Sequence, residues 1–197
     1  MSRFSIREAS LRDASRILEI YAPYITDTAI TFEYEVPSLT EFEERMERIR
    51  KRFPYLVCEE DGLVIGYAYA DTYMIRAAYD WCVDLSVYVD REKRNCGAGT
   101  LLYKALLALL KEMHIQNAYA VITGCNERSL DFHRKLGFET FAVFKNTGYK
   151  HGTWLDVTWM EYFLGEHEEK PKPVIWAPDL PALQRAQIIK QVTEETV

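Results

Sequence analysis

The sequence predicts an α/β domain built on a mixed, mostly antiparallel, twisted sheet of about seven strands with flanking helices, in the order β-α-α-β-β-β-α-β-α-β-β. Three observations carry this prediction. Two serine-led capping boxes, Ser10-Leu11-Arg12-Asp13 and Ser38-Leu39-Thr40-Glu41, open helices early in the chain. Past residue 54 the chain turns rich in β-branched and aromatic residues, and Asp61-Gly62 marks a hairpin. A buried-strand run, Cys82 to Val89, then leads through a glycine-bearing loop into a long apolar helix.

Taken in order, Phe4 to Arg7 reads as a short strand, followed by a helix to about Tyr21 with Ile17, Leu18, Ile20 and Tyr21 on its apolar side and Pro23 as its stop. Residues 25–36 have no clear period and read as loop. The next helix carries Phe42, Met46 and Ile49 on one face, with its charges on the solvated one. Strands follow at Tyr55 to Glu59, Leu63 to Tyr73 and Cys82 to Val89. A helix from Gly97 to about His114 buries Leu101, Leu102, Ala105, Leu106, Leu109 and Leu110. Ala118 to Thr123 is a buried strand, and Asn126 caps a helix that Gly137 ends. Two last strands, near Thr140–Lys145 and Thr153–Phe163, flank the turn His151-Gly152.

Residues 1–165 thus form one domain. The stretch Glu166 to Pro173 is a charged, Pro-bearing linker. Residues 181–193 have a short helical pattern with Leu183, Ile188 and Val192. A mobile tail and a docked, dimer-bracing segment both fit residues 166–197.

Composition narrows the class. The 197 residues are 48% hydrophobic and 27% charged, as in a soluble globular chain, and 13% aromatics exclude bulk disorder. A net charge of −6 argues against a nucleic-acid binder. No apolar run is long enough to cross a bilayer, and Met1-Ser2-Arg3-Phe4 lacks a signal-peptide core, so a cytoplasmic location with no membrane partner is expected. Cys58, Cys82, Cys96 and Cys125 lie far apart, and His114, His133, His151 and His167 form no metal-type pair. Neither a metal site nor a disulfide is expected.

The chemistry sits between Asp84 and Phe138. The loop Arg94-Asn95-Cys96-Gly97-Ala98-Gly99-Thr100 joins a buried strand to the start of a long helix. Free amides and the positive dipole end at such a start bind phosphate, so a pyrophosphate-bearing ligand is expected at residues 95–100. A dinucleotide fingerprint needs a third glycine where Leu102 stands, and a P-loop needs a Gly-Lys-Ser/Thr triplet that is missing.

About 30 residues on comes Asn126-x-x-Ser129-x-x-Phe132-His133-x-Lys135-Leu136-Gly137-Phe138. With Arg94-x-x-Gly97-x-Gly99, this resembles the GCN5-related N-acetyltransferases. Tyr79-Asp80-Trp81, Ser86-Val87-Tyr88-Val89, Gly148-Tyr149-Lys150-His151-Gly152 and Trp154-x-Asp156-Val157 extend the likeness to the phosphinothricin and methionine-sulfone acetyltransferase group, over about residues 3–164.

The resemblance implies that the strand ending at Val89 and the strand 118–123 splay apart. Acetyl-CoA would lie in the gap, its pantetheine arm against Val87, Tyr88 and Val89 and its pyrophosphate on Asn95, Cys96, Gly97, Ala98, Gly99 and Thr100. Asn126 would reach the pantetheine or phosphate side, and also suits a plain helix cap. Asp84 stands where those enzymes carry a glutamate base, His133 matches their histidine and is expected to aid proton transfer, and the Val87 amide and Tyr88 hydroxyl would attend the thioester. For the acceptor, the likeness points to Phe32, Met74, Ile75, Arg76 and Tyr79, with Asp84, Leu85 and Ser86, and Arg76 would grip a carboxylate.

The expected activity is acetylation of the α-amine of a small amino acid or analogue such as methionine sulfone, methionine sulfoximine or phosphinothricin, in a homodimer. Two rivals remain. One is an acetyltransferase for a polyamine, antibiotic or protein N-terminus. The other is a non-catalytic acyl-CoA-binding module.

Overall fold

The computed structural model describes residues 3–196. Seven strands form one sheet in the order β1-β2-β3-β4-β5-β7-β6. They are β1 (Phe4–Glu8), β2 (Tyr55–Glu60), β3 (Leu63–Thr72), β4 (Cys82–Val89), β5 (Asn117–Thr123), β6 (Glu139–Lys150) and β7 (Thr153–Phe163). Every pairing is antiparallel except β4 with β5. The helices are α1 (Ala14–Thr26), α2 (Leu39–Arg50), α3 (Ala98–Glu112), α4 (Glu127–Lys135) and α5 (Ala182–Glu195). Among the described residues no helix is long and apolar enough to cross a membrane.

Neighbouring residues of a strand point to opposite faces, and this sorts the layers. Tyr88 packs edge-on against Tyr21 and Tyr24 of α1, at 4.8 and 5.1 Å between ring centres. Its neighbour Val89 faces Gly99 of α3. Helices α1 and α2 therefore cover one face, and α3 covers the other. The α3 residues Leu102, Ala105, Leu106, Leu109 and Leu110 are fully buried there, as their helical spacing requires.

Three elements differ from the sequence reading. Helix α1 runs through Pro23 to Thr26. Proline deletes one helical amide, but the last turn is held from outside: Tyr24 and Ile25 are buried, and the Tyr24 hydroxyl donates to the Val89 carbonyl at 2.5 Å. Strand β6 continues to Lys150 across a bulge between Phe144 and Gly148. Asp156 of β7 carries the chain through it by accepting from Lys145 Nζ at 2.7 Å and the Asn146 amide at 3.0 Å. On the terminal helix it is Ile189 that is buried, while Leu183 is exposed.

The segment after Gly165 lies against the domain. The Ile175 amide donates to Met113, and the Ala177 amide to Arg52. The Trp176 ring packs edge-on to Phe53 with the Arg52 guanidinium 3.9 Å from its centre. Arg185 forks onto Glu8 of β1 at 2.8 and 3.3 Å. Trp176 is half-buried, so Trp176→Ala is expected to cost about 1–3 kcal/mol in urea unfolding, below the range of fully buried aromatic truncations. A loss below about 0.5 kcal/mol, the scale of an ordinary surface change, would mean that this segment is not part of the folded unit.

Candidate active site

The site begins where a ladder ends. Strands β4 and β5 pair only at Cys82–Asn117, Val83–Ala118 and Asp84–Tyr119. Beyond that, β4 stays on β3 through Val89, while β5 stays on β7 through Thr123. The two strands diverge, as the sequence reading expected. The Asp90 amide donates to Ile65 on the β3 side, and donors alternate sides along a strand. The amides of Val87 and Val89, past the last bridge at Asp84–Tyr119, therefore point into the gap. An extended amide-bearing chain can pair with that edge.

A cavity of about 730 Å³ opens from the gap. Val87, Tyr88, Val89, Arg94, Asn95, Cys96, Gly97, Ala98, Gly99, Thr100 and Asn126 all line it. Gly97 takes φ +95°, a backbone state disfavoured for side chains, and this turns the loop into α3. The first backbone bond of α3 is Leu101 to Gly97, which leaves the preceding amides for a ligand. Arg94, Arg128 and Lys135 place positive charge at the same opening. Asn126 Oδ1 accepts from the Ser129 amide at 3.2 Å, so it caps α4 while its side-chain NH2 remains a donor. Sequence reasoning missed Tyr24, Ile30, Arg128, Ser129, Asp131, Phe132 and Lys135 in this lining, and Asp131 sets one carboxylate beside the cations. Arg128 and Lys135 were legible as one basic face of α4, whereas Ile30 sits in a loop without period.

Asp84 occupies the last paired position of the ladder. Its Oδ1 is sealed from solvent and has no hydrogen-bond partner. Burial pushes its pKa up to about 7; the Leu85 amide opposes the rise and the Asp71 charge adds to it. A carboxyl with that value can take a proton near neutrality and release it again.

His133 is placed differently from the sequence expectation. It is 3% exposed. Nδ1 lies 2.7 Å from the Ser129 carbonyl and so carries the proton, and Nε2 accepts from the Tyr103 hydroxyl at 2.8 Å. Burial lowers its pKa to about 4. The ring is thus neutral, with both nitrogens engaged within the fold. The rings of Phe132 and Phe138, both about 5.2 Å away, complete its apolar seat.

Leu85, Ser86 and Tyr88 line a smaller recess of about 70 Å³ deeper in the gap, together with Tyr103 and His133. The Tyr88 ring is fixed by Tyr21, Tyr24 and Tyr67, and burial keeps its hydroxyl protonated well above the usual range. Of the expected acceptor residues, Phe32 lies against Gly148 and Tyr79 lies edge-on to Tyr73. Met74, Ile75 and Arg76 are exposed in the loop after β3, outside the lining of both cavities.

Residues 6–159 match the family model described as an acetyltransferase (GNAT) domain. The chain belongs to the GNAT acetyltransferases. It is 35% identical to a phosphinothricin N-acetyltransferase of Streptomyces viridochromogenes, covering 86% of this chain and 92% of the relative. It is 31% identical to an L-methionine sulfoximine/L-methionine sulfone acetyltransferase of Pseudomonas aeruginosa, covering 85% and 98%. Among solved structures it superposes with TM-score 0.84 on a phosphinothricin acetyltransferase of Sinorhizobium meliloti in complex with AcCoA, at 36% identity over 90% of this chain and 97% of that one.

The burial of Asp84 has a consequence for stability with a definite sign. The folded chain holds this proton more tightly than the unfolded chain, whose value is near 3.8. The resulting destabilisation is absent below that pH and fully developed above about 7. Asp84→Asn should therefore raise Tm by roughly 3–8 °C at pH 8 and leave it nearly unchanged at pH 4, read by calorimetry. Equal shifts at both pH values would show that Asp84 is not a strained, buried acid.

Proposed function

We propose that this enzyme transfers the acetyl group of acetyl-CoA to the α-amine of a small amino acid or analogue of the methionine sulfone, methionine sulfoximine or phosphinothricin type. The observation that carries the reading is Asp84, a buried carboxyl with one unpartnered oxygen, poised near neutrality at the inner end of a gap edged with free amides. The names of the relatives support the acceptor class.

Acetyl-CoA supplies a thioester-activated acetyl group when bound. The residues of the α3 entry and the cations of Arg94, Arg128 and Lys135 hold its phosphates, and the gap-facing amides of Val87 and Val89 hold its arm. The Val87 N–H is the donor for the thioester oxygen. Only an unprotonated amine attacks, so Asp84 takes the ammonium proton, directly or through a water. The Tyr88 hydroxyl, protonated at working pH, would supply the proton donor for the departing thiolate. Phe32 walls the acceptor, and Arg76 closes from its loop onto the carboxylate of the amino acid.

Assembly follows from the other end of the sheet. Phe141 and Phe144 of β6 are 46 and 49% exposed and both pack against Trp159 of β7, an apolar area on one face of the sheet. We assign this face to a second copy of the chain, with sedimentation velocity as the check.

A thiol-release screen with methionine sulfone, methionine sulfoximine, phosphinothricin, polyamines and a peptide N-terminus tests the reading. Amino-acid analogues should turn over and polyamines should not; the reverse would overturn the acceptor class. Asp84→Asn should lower kcat by about 10²–10⁴-fold, the usual share of acid–base catalysis, and remove an acid limb of kcat/KM near pH 7. An unchanged rate would exclude Asp84 as the base.

A further inference from the structure

Lys150 is a lysine only 3% exposed. Its Nζ donates to the Ile25 carbonyl at 2.7 Å and the Thr31 carbonyl at 2.8 Å, and no carboxylate pairs with it directly. Burying an ammonium is costly, and neutral carbonyls offset that only in part. The two bonds tie the last turn of α1 to the chain that follows it toward α2.

Neighbours on the same hairpin hold the same segment. The Tyr34 hydroxyl donates to the Tyr149 carbonyl. His151 Nε2 lies 3.2 Å from the Thr28 carbonyl. From the end of β5, Thr123 Oγ1 reaches the Ala29 and Ile30 carbonyls at 2.8 and 3.0 Å. A Cβ on Gly148 would stand 2.1 Å from the Phe32 ring, so this ring is seated directly on the glycine backbone. The bulge tied by Asp156 sets the register in which Gly148 meets Phe32 and Lys150 turns inward. Ile30, two residues before Phe32, lines both cavities.

We propose that the β6–β7 hairpin end is a clasp on residues 25–34, and that Lys150 is a positioning residue for the acceptor pocket, holding Phe32 on its Gly148 seat. The Gly148-Tyr149-Lys150-His151-Gly152 run then fixes the wall against which the incoming amine is aimed at Asp84. The proposal rests on the reading of Phe32 as that wall.

The test is steady-state kinetics on Lys150→Met, Gly148→Ala, Phe32→Ala and the two double variants that combine Phe32→Ala with each of the others. Lys150→Met removes both hydrogen bonds and keeps an apolar stem. Gly148→Ala drives the ring off its seat from the opposite side, so the pair still decides if one variant fails to fold. Each is expected to raise the acceptor KM about tenfold while the acetyl-CoA KM stays within about threefold. In the Phe32→Ala background neither should add more than about twofold, because a shared route makes the effects non-additive.

Acceptor KM values within about twofold of wild type, or full additivity with Phe32→Ala, would overturn the positioning role. Should the wild-type enzyme turn over none of the amino-acid acceptors, the acceptor reading fails, and the clasp is judged by amide exchange alone. Lys150→Met must then speed exchange across residues 26–34 while leaving β4 unchanged, and unchanged exchange in 26–34 would overturn it.

Discussion

Everything at this site depends on a parallel ladder that stops after Asp84 and Tyr119. Continued pairing of β4 and β5 would satisfy the backbone but leave no room for a ligand. The strands are instead held apart from their outer sides. Strand β4 is kept by β3 and by the Tyr24 hydroxyl on the Val89 carbonyl. Strand β5 is kept by β7 and by Thr123, which is anchored on the carbonyls of residues 29 and 30. The gap-facing amides of Val87 and Val89 are the result, and they form an open sheet edge with which an extended chain can pair. The α3 N-terminus lies at the outer end of that edge, and Asp84 lies at the inner end. In the proposed reading a donor meets phosphate-binding amides, pairing amides and a proton acceptor in one line.

Asp84 is the point where function and stability oppose each other. A carboxyl with a sealed, unpartnered oxygen gives up hydration without recovering it in a salt bridge. The surrounding sheet is otherwise well supplied with ion pairs: Asp71, its neighbour across β3, is held bidentately by Arg48 at 3.0 and 2.7 Å. The two aspartates on facing strands thus differ: one is paired as a structural carboxylate, and the other is buried with an unpartnered oxygen, as the proposed base requires.

Much of this was legible in the sequence, and the parts that were not share a cause. Strand β4, the Asp61-Gly62 hairpin and the Ser38–Glu41 capping box are local signals, and the structure has all three. The glycine loop and Asn126 were legible because a helix start advertises its own open amides. Pro23 was misread because the force that keeps α1 going comes from Val89, far along the chain from Tyr24. The β6 bulge depends on Asp156 across the ladder, and periodicity within one strand carries no trace of it. His133 looked like an exchangeable base by residue type. Only the fold reveals that Ser129 and Tyr103 already occupy its two nitrogens. Tertiary partners decided each of these outcomes, and a one-dimensional pattern does not record them.

The central claim is that the inner edge of β4 is the docking rail for the donor. Residue-resolved amide hydrogen exchange, with and without saturating acetyl-CoA, addresses it directly. The account predicts that exchange at Val87 and Val89 slows by at least about tenfold on addition, while Ser86 and Tyr88, already bonded to β3, stay as they were. Slowing confined to other parts of the chain, with Val87 and Val89 unaffected at saturation, would contradict it.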